Sequence, residues 1–124
     1  MAENLKVLAV DDDMINLKLL KSMLMKTGNV AEVVEARNGA DVVNVLKERN
    51  DIDIILLDII MPVMGGIEML KVVRADENLN QLPIIVLTTD ETKKNEALEA
   101  GANGFLMKPV RAADVAQKIS EVIL

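Results

Sequence analysis

Cysteine and histidine are both missing from this 124-residue chain. Without cysteine, a disulfide framework and any thiolate metal centre are excluded. Without histidine, so are the Ser-His-Asp and Cys-His hydrolases and every imidazole-ligated zinc site. Tryptophan and tyrosine are absent as well, and Phe105 is the only aromatic residue. Positive charge is in the minority: 14 Lys and Arg against 20 Asp and Glu give a net charge of −6. That sign argues against a nucleic-acid groove or an anionic membrane as the direct partner. Long apolar runs are lacking too. The run at residues 5–10 is short and ends in three acids, unlike a signal peptide. The longest candidate span, residues 52–64, is broken by Asp53, Asp58 and Pro62. A cytoplasmic protein is expected, whose polar chemistry rests on carboxylates, lysines, hydroxyls and backbone amides.

What is present is alternation. Residues 5–10 (LKVLAV), 31–36 (AEVVEA), 52–57 (IDIILL), 83–88 (PIIVLT) and 104–107 (GFLM) have strand length and mostly β-forming side chains. The first, third and fourth are almost continuously apolar, as strands covered on both faces of a parallel sheet are. Helical spacing fills the intervals 14–27, 38–49, 67–75, 91–100 and 111–124. In the first helix Ile15, Leu19 and Met23 share a broad face with Leu20 and Leu24, and Gly28 sits at its expected end. The second begins at an Asn38 cap and turns Val42, Val43 and Leu46 inward. The third carries Ile67, Leu70 and Val73. The fourth offers only Ala97 and Leu98 and stops at Gly101, and the fifth repeats Val115, Ile119 and Val122. Alternating strands and helices predict one α/β domain over residues 1–124, a doubly wound (βα)5 unit. It has a five-stranded parallel sheet, right-handed crossovers and helices on both faces.

In such a sheet ligands bind at the carboxyl ends of the strands. Asp11, Asp12 and Asp13 follow the first strand, Asp58 the third, Thr88 and Thr89 the fourth, and Lys108-Pro109 the fifth. Carboxylates from two neighbouring strand ends repel unless a cation intervenes. Hard oxygen ligands suit Mg²⁺, which keeps open positions for phosphate oxygens. A carboxylate flanked by a divalent metal, an ammonium and a hydroxyl is prepared for a phosphoryl group, with Asp as nucleophile. Taken singly, most of these residues have plainer readings. Asp13 can cap the following helix, Lys108 can be a solvated strand-end lysine, and Thr88 an ordinary β-former. Asp58 ends a buried strand several residues before the next helix and is harder to assign to structure. The eight methionines read as flexible packing.

The segments VLAVDDD, LLDIIMPVMGG, PIIVLTT and GANGFLMKP, in this order and spacing, resemble the receiver domain of two-component response regulators from about Leu5 onward. The resemblance implies a flavodoxin-like sheet of strand order 2-1-3-4-5. It implies Asp58 as phosphoacceptor and Mg²⁺ held by Asp11, Asp12, Asp58 and the Ile60 carbonyl. Lys108 and Thr88 would contact the phosphoryl group, with a cis bond before Pro109, and Phe105 would follow Thr88 inward. Accessory influence falls to Asp13, Thr89 and Asp90. Thr89 stands where a small residue is common and narrows access. Ile60 and Asp90 bear on the attack of water in opposite senses. Phosphorylation would then shift the surface of the fourth helix, fifth strand and fifth helix.

The implied partners are a sensor histidine kinase or histidine phosphotransfer protein and a downstream protein target. Neither nucleic acid nor membrane is implied, and the domain would be a monomer or a phosphorylation-dependent dimer. A stand-alone regulator and a receiver within a longer protein fit equally. A phosphatase of the haloacid-dehalogenase type also uses an aspartyl phosphate. It resembles D-x-D after the first strand, with the second Asp as general acid. Here the position two after Asp58 is Ile60, and the D-x-D of Asp11 to Asp13 lacks a hydroxyl-bearing continuation. A flavodoxin-like cofactor binder needs a hydroxyl- and glycine-rich first loop and stacking aromatics, which this chain lacks. No glycine-rich nucleotide motif occurs. A receiver-like module that is never phosphorylated is argued against by the intact acids and Lys108.

Overall fold

The computed structural model describes residues 4–27, 29–58 and 65–123. Strands and helices alternate: β1 (Leu5–Val10), α1 (Met14–Met25), β2 (Val30–Ala36), α2 (Gly39–Glu48), β3 (Ile54–Asp58), α3 (Gly66–Ala75), β4 (Ile84–Thr88), α4 (Lys94–Glu99), β5 (Gly104–Met107) and α5 (Ala112–Ile123). The five strands pair in parallel in the order β2-β1-β3-β4-β5. Alternate strand residues point to opposite faces, so the sheet separates two cores. Leu8, Val10, Ile55, Leu57, Ile84 and Val86 pack under α2, α3 and α4 through Val42, Leu46, Met69, Leu70, Val73 and Ala97. Val7, Ala9, Ile54, Leu56, Ile85 and Leu87 pack under α1 and α5 through Leu17, Leu20, Leu24, Val115 and Ile119. Each such side chain taken fully out of water contributes about 1.5–3 kcal/mol.

Local chemistry sets the boundaries. Asp13 caps α1 by accepting from the Ile15 and Asn16 amides, and Asn38 caps α2 by accepting from the Asp41 amide. The third strand starts at Ile54 rather than at 52, because Asp53 trades bonds with Lys6. The Asp53 amide donates to the Lys6 carbonyl, and the Lys6 amide donates to the Asp53 carboxylate. The fourth helix is shorter than its spacing predicts. A 3-10 turn occupies Glu91–Lys93, and only Ala97 of α4 is buried. Leu98, expected inward, is exposed, and Val43 is only partly buried. In α1 the buried face is Leu17, Leu20 and Leu24. Ile15 and Leu19, expected inward, are 69% and 56% exposed. Gly28 and Leu124 lie outside the described residues. Among the described residues no helix is long and apolar enough to cross a membrane.

At the amino-terminal edge of the sheet an ion-pair network braces β1, β2 and the segment before β3. Arg49 binds Glu32 through two nitrogens at 3.0 and 2.9 Å. It also binds Asp51 at 3.0 and 2.9 Å, and Lys6 reaches the same Asp51 at 2.9 Å.

Candidate functional site

The opposite edge gathers the polar strand ends. Asp11 leaves β1 with its amide bonded to the Ala36 carbonyl at 3.1 Å, which ties it to the end of β2. Its carboxylate accepts from the Asp13 amide at 2.9 Å and from Lys108 Nζ at 2.8 Å. Asp58 closes β3, where it pairs in register with Leu87 of β4. Lys108 Nζ lies 3.4 Å from its Oδ2. The Lys108 amide in turn donates to the Thr88 carbonyl at 2.9 Å, which docks the end of β5 against β4. Asp11 is buried, and Asp12 is exposed. Asp11, Asp12 and Asp58 each offer a carboxylate oxygen, and these oxygens lie within 4.8 Å of one another.

Such a donor set fits Mg²⁺. All three ligands are hard oxygens, and separations of no more than 4.8 Å are within small side-chain movements of the roughly 3–4 Å between ligands of an octahedral ion with ligand distances near 2.1 Å. One ammonium against three carboxylates leaves two negative charges for a divalent cation to balance. Burial pulls the Lys108 pKa down. The hydrogen bond from Asp11 and the charges of Asp58 and Asp11 outweigh that and hold it above its ordinary value.

The other predicted residues divide. Thr88 is buried, and its hydroxyl accepts from the Asp90 amide at 3.2 Å. Asp13, engaged with the first turn of α1, stands outside the acidic trio. Asp90 caps the 3-10 turn, accepting from the amide of Thr92 at 3.0 Å and from its hydroxyl. Those hydrogen bonds hold its carboxyl below the usual range. Phe105 is partly buried against the core beneath α2, α3 and α4, in register with Val86. The Lys108–Pro109 bond is cis. Ile60 lies outside the described residues.

Composition and spacing gave no sign of a cavity of about 350 Å³ beside the acids. Asp11, Asp58, Thr89, Lys108 and Asn16 form its polar rim, and Leu19, Leu20, Met23 and Val110 belong to its apolar wall. It arises because α1 turns Leu19 toward the cleft instead of the core. Asn16 comes to the rim because it sits one turn after Asp12 and Asp13. Only the helix orientation reveals either.

The sequence profile of the response regulator receiver domain matches residues 7–120. The chain is 35% identical over 122 residues to chemotaxis protein CheY-3 of Vibrio cholerae serotype O1, covering 97% of this chain and 92% of that protein. It is 32% identical over 121 residues to a chemotaxis protein CheY homolog of Campylobacter jejuni, covering 96% and 92%. Among solved structures, chemotaxis response regulator CheY4 of Vibrio cholerae aligns with a TM-score of 0.85 and 33% identity, over 95% of this chain and 98% of the other. The receiver domain of sensor histidine kinase PA1611 from Pseudomonas aeruginosa has a magnesium ion coordinated in its active-site cleft. It aligns with a TM-score of 0.86 and 28% identity, over 97% and 98%.

Proposed function

The chain belongs to the response regulator receiver domain family, the family of CheY-like signalling proteins rather than catalytic enzymes, and we propose that Asp58 is the carboxylate on which it receives a phosphoryl group. One observation carries this reading. Three carboxylates and one ammonium from three strand ends converge, with Asp11, Asp12 and Asp58 oxygens within 4.8 Å and Lys108 bonded to two of them. In the proposed step an Asp58 oxygen attacks phosphorus, the bond to the leaving group breaks, and the leaving group takes the electron pair. Asp11, Asp12 and Asp58, joined on the family's pattern by the Ile60 carbonyl, would hold Mg²⁺, which would supply charge neutralisation to the phosphoryl oxygens. Lys108 donates to those oxygens from the other side, and the Thr88 hydroxyl turns toward them. Phe105 follows, and the surface of α4, β5 and α5 shifts to meet a downstream protein.

The phosphoryl donor is a sensor histidine kinase or a histidine phosphotransfer protein, acting in the cytoplasm on residues 1–124 as one receiver unit. The receiver domain of PA1611 belongs to a sensor histidine kinase, which supports a donor of that class. Leu19 is exposed on the face of α1 that lines the acidic cleft, and Met14 and Ile15 are exposed in the first turn of the same helix. They offer an apolar shelf for the donor's helix within reach of Asp58.

A small phosphodonor with Mg²⁺ should add one phosphoryl mass to the protein, and Asp58→Asn should abolish the gain. Beryllofluoride with Mg²⁺ should alter the surroundings of Phe105. A wild-type mass unchanged under these conditions favours an interaction module that is never phosphorylated.

A further inference from the structure

Away from the acidic cleft, at the opposite end of α4, stands a cation that no part of the proposed phosphoryl transfer uses. Arg74, in the last turn of α3, is partly buried, and its partners among the described residues are four oxygens, none of them a carboxylate. Its Nε donates to the Gly101 carbonyl at 3.0 Å and its Nη2 to Asn103 Oδ1 at 2.7 Å, both in the turn from α4 to β5. Its Nη1 donates to the carbonyls of Asn80 and Leu82, at 3.2 and 2.7 Å, in the loop leading to β4. Asn103 extends the tie. Its side-chain oxygen also accepts from the Ile84 amide at 2.9 Å, and its own amide donates to the Ile84 carbonyl at 2.8 Å. Gly101 has φ +112°, and a Cβ there would stand 2.7 Å from Arg74 Cγ, so the arginine stem also closes over the turn.

The far end of α4 is held quite differently. It begins in the 3-10 turn Glu91–Lys93, which buries no residue, and the Asp90 cap reaches only Thr92. Between these ends α4 buries Ala97 alone. A short helix with one buried residue, held at its carboxyl end by Arg74 and only locally capped at the other, is tied to the rest of the fold more firmly at one end than at the other. The loose end follows directly on Thr88 and Thr89 at the acidic cleft.

We infer that Arg74 clamps the corner between α4 and β5 into a fixed pivot, so that a rearrangement at Thr88 swings the amino end of α4 while residues 101–104 stay in place. This rests on the phosphoacceptor reading for its trigger, but the clamp itself does not. Arg74 acts as a positioning residue, through the planar fork that serves several carbonyls at once, which a lysine cannot reproduce.

Amide hydrogen exchange on the full chain, with and without Mg²⁺ and beryllofluoride, tests both parts. In the wild type the anion should change exchange at residues 89–96 and leave 101–104 unchanged. In Arg74→Gln, which keeps much of the stem over Gly101, residues 101–104 should exchange about tenfold faster even without ligand, since a charged donor is lost from several carbonyls. The response to the anion should then spread into them. Arg74→Lys should behave like Arg74→Gln, and Asn103→Asp, which keeps the acceptor, like the wild type. Wild-type exchange at 101–104 in unliganded Arg74→Gln overturns the clamp. A wild-type response as large at 101–104 as at 89–96 overturns the pivot. No response anywhere in the wild type overturns the phosphoacceptor reading and the pivot with it, while the unliganded comparison still decides the clamp.

Discussion

Lys108 touches two acids at once, and alkali removes the charge that holds them. Its folded-state pKa is raised, because the bond to Asp11 and the charges of Asp58 and Asp11 exceed the cost of burial. A raised cation contributes stability that is fully present below its unfolded value, near 10.5, and is lost as pH rises through the folded value. Denaturant melts should therefore lose stability above about pH 10.5, and Lys108→Gln should flatten that decline. No tyrosine titrates in the same window. Asp12 poses the converse case. It is exposed and adds a third negative charge to a site with one ammonium. Asp12→Asn should raise the metal-free stability by on the order of 1 kcal/mol, since a like charge a few ångströms away is removed. The same change should weaken Mg²⁺ binding at least about tenfold, as losing a ligand costs no less than losing its support. Thermal melts without metal and an Mg²⁺ titration read the two opposite signs.

At the level of single elements, helical spacing announces that a helix exists more reliably than which way it faces. Six of the first ten residues of α1 are Met, Ile or Leu, at positions 14, 15, 17, 19, 20 and 23, so apolar stripes run down more than one side. Contact with β1 and β3 chooses Leu17, Leu20 and Leu24 and leaves Ile15 and Leu19 exposed, Leu19 at the cleft. Asp11, Asp12, Asp58, Thr88 and Lys108 are legible because each closes an apolar run or follows it within two residues, and the strand end fixes where it points. Asn16 and the cavity were not, since they depend on the rotation of a helix. If the shelf on α1 receives the donor's helix, Ile15→Asp should slow transfer from a phosphohistidine partner at least about tenfold. Phosphorylation by a small donor should be unchanged. Equal loss with both donors would place the defect in the cleft instead. In the turn after α4, Gly101→Ala should cost about 1–3 kcal/mol in a urea melt, from a left-handed φ and a collision with the Arg74 stem.

Across the whole molecule, alternation of strands and helices makes the sheet parallel but does not order it. The strand order 2-1-3-4-5 is implied by the family resemblance alone, and the pairing of β1 with both β2 and β3 bears it out. Parallel pairing puts Asp11, Asp12, Asp58, Thr88 and Lys108 at one edge and the Arg49 network at the other. Hydrogen bonds from Arg49 depress the Asp51 and Glu32 pKa values, with Lys6 adding to the effect on Asp51. Depressed acids contribute stability present above their unfolded values of 3.8 and 4.5 and lost as pH falls toward the folded ones. These groups are solvent-exposed, so the effect is small and screened. Arg49→Met should make acid unfolding below about pH 4.5 less steep at low salt and leave it unchanged at high salt.

The two edges also differ in what can be fastened to them. Lys118, in the second half of α5, folds its stem over Gly104 at the start of β5, so α5 runs back from the cleft toward the Arg49 side, where β1 also begins. A fluorophore or a surface anchor attached at the start of β1 or in the last turn of α5 would stand on the braced pole. The acidic pole would then stay open to donor and metal alike, which makes the braced pole the side by which to immobilise the protein for single-molecule or sensor-chip measurement.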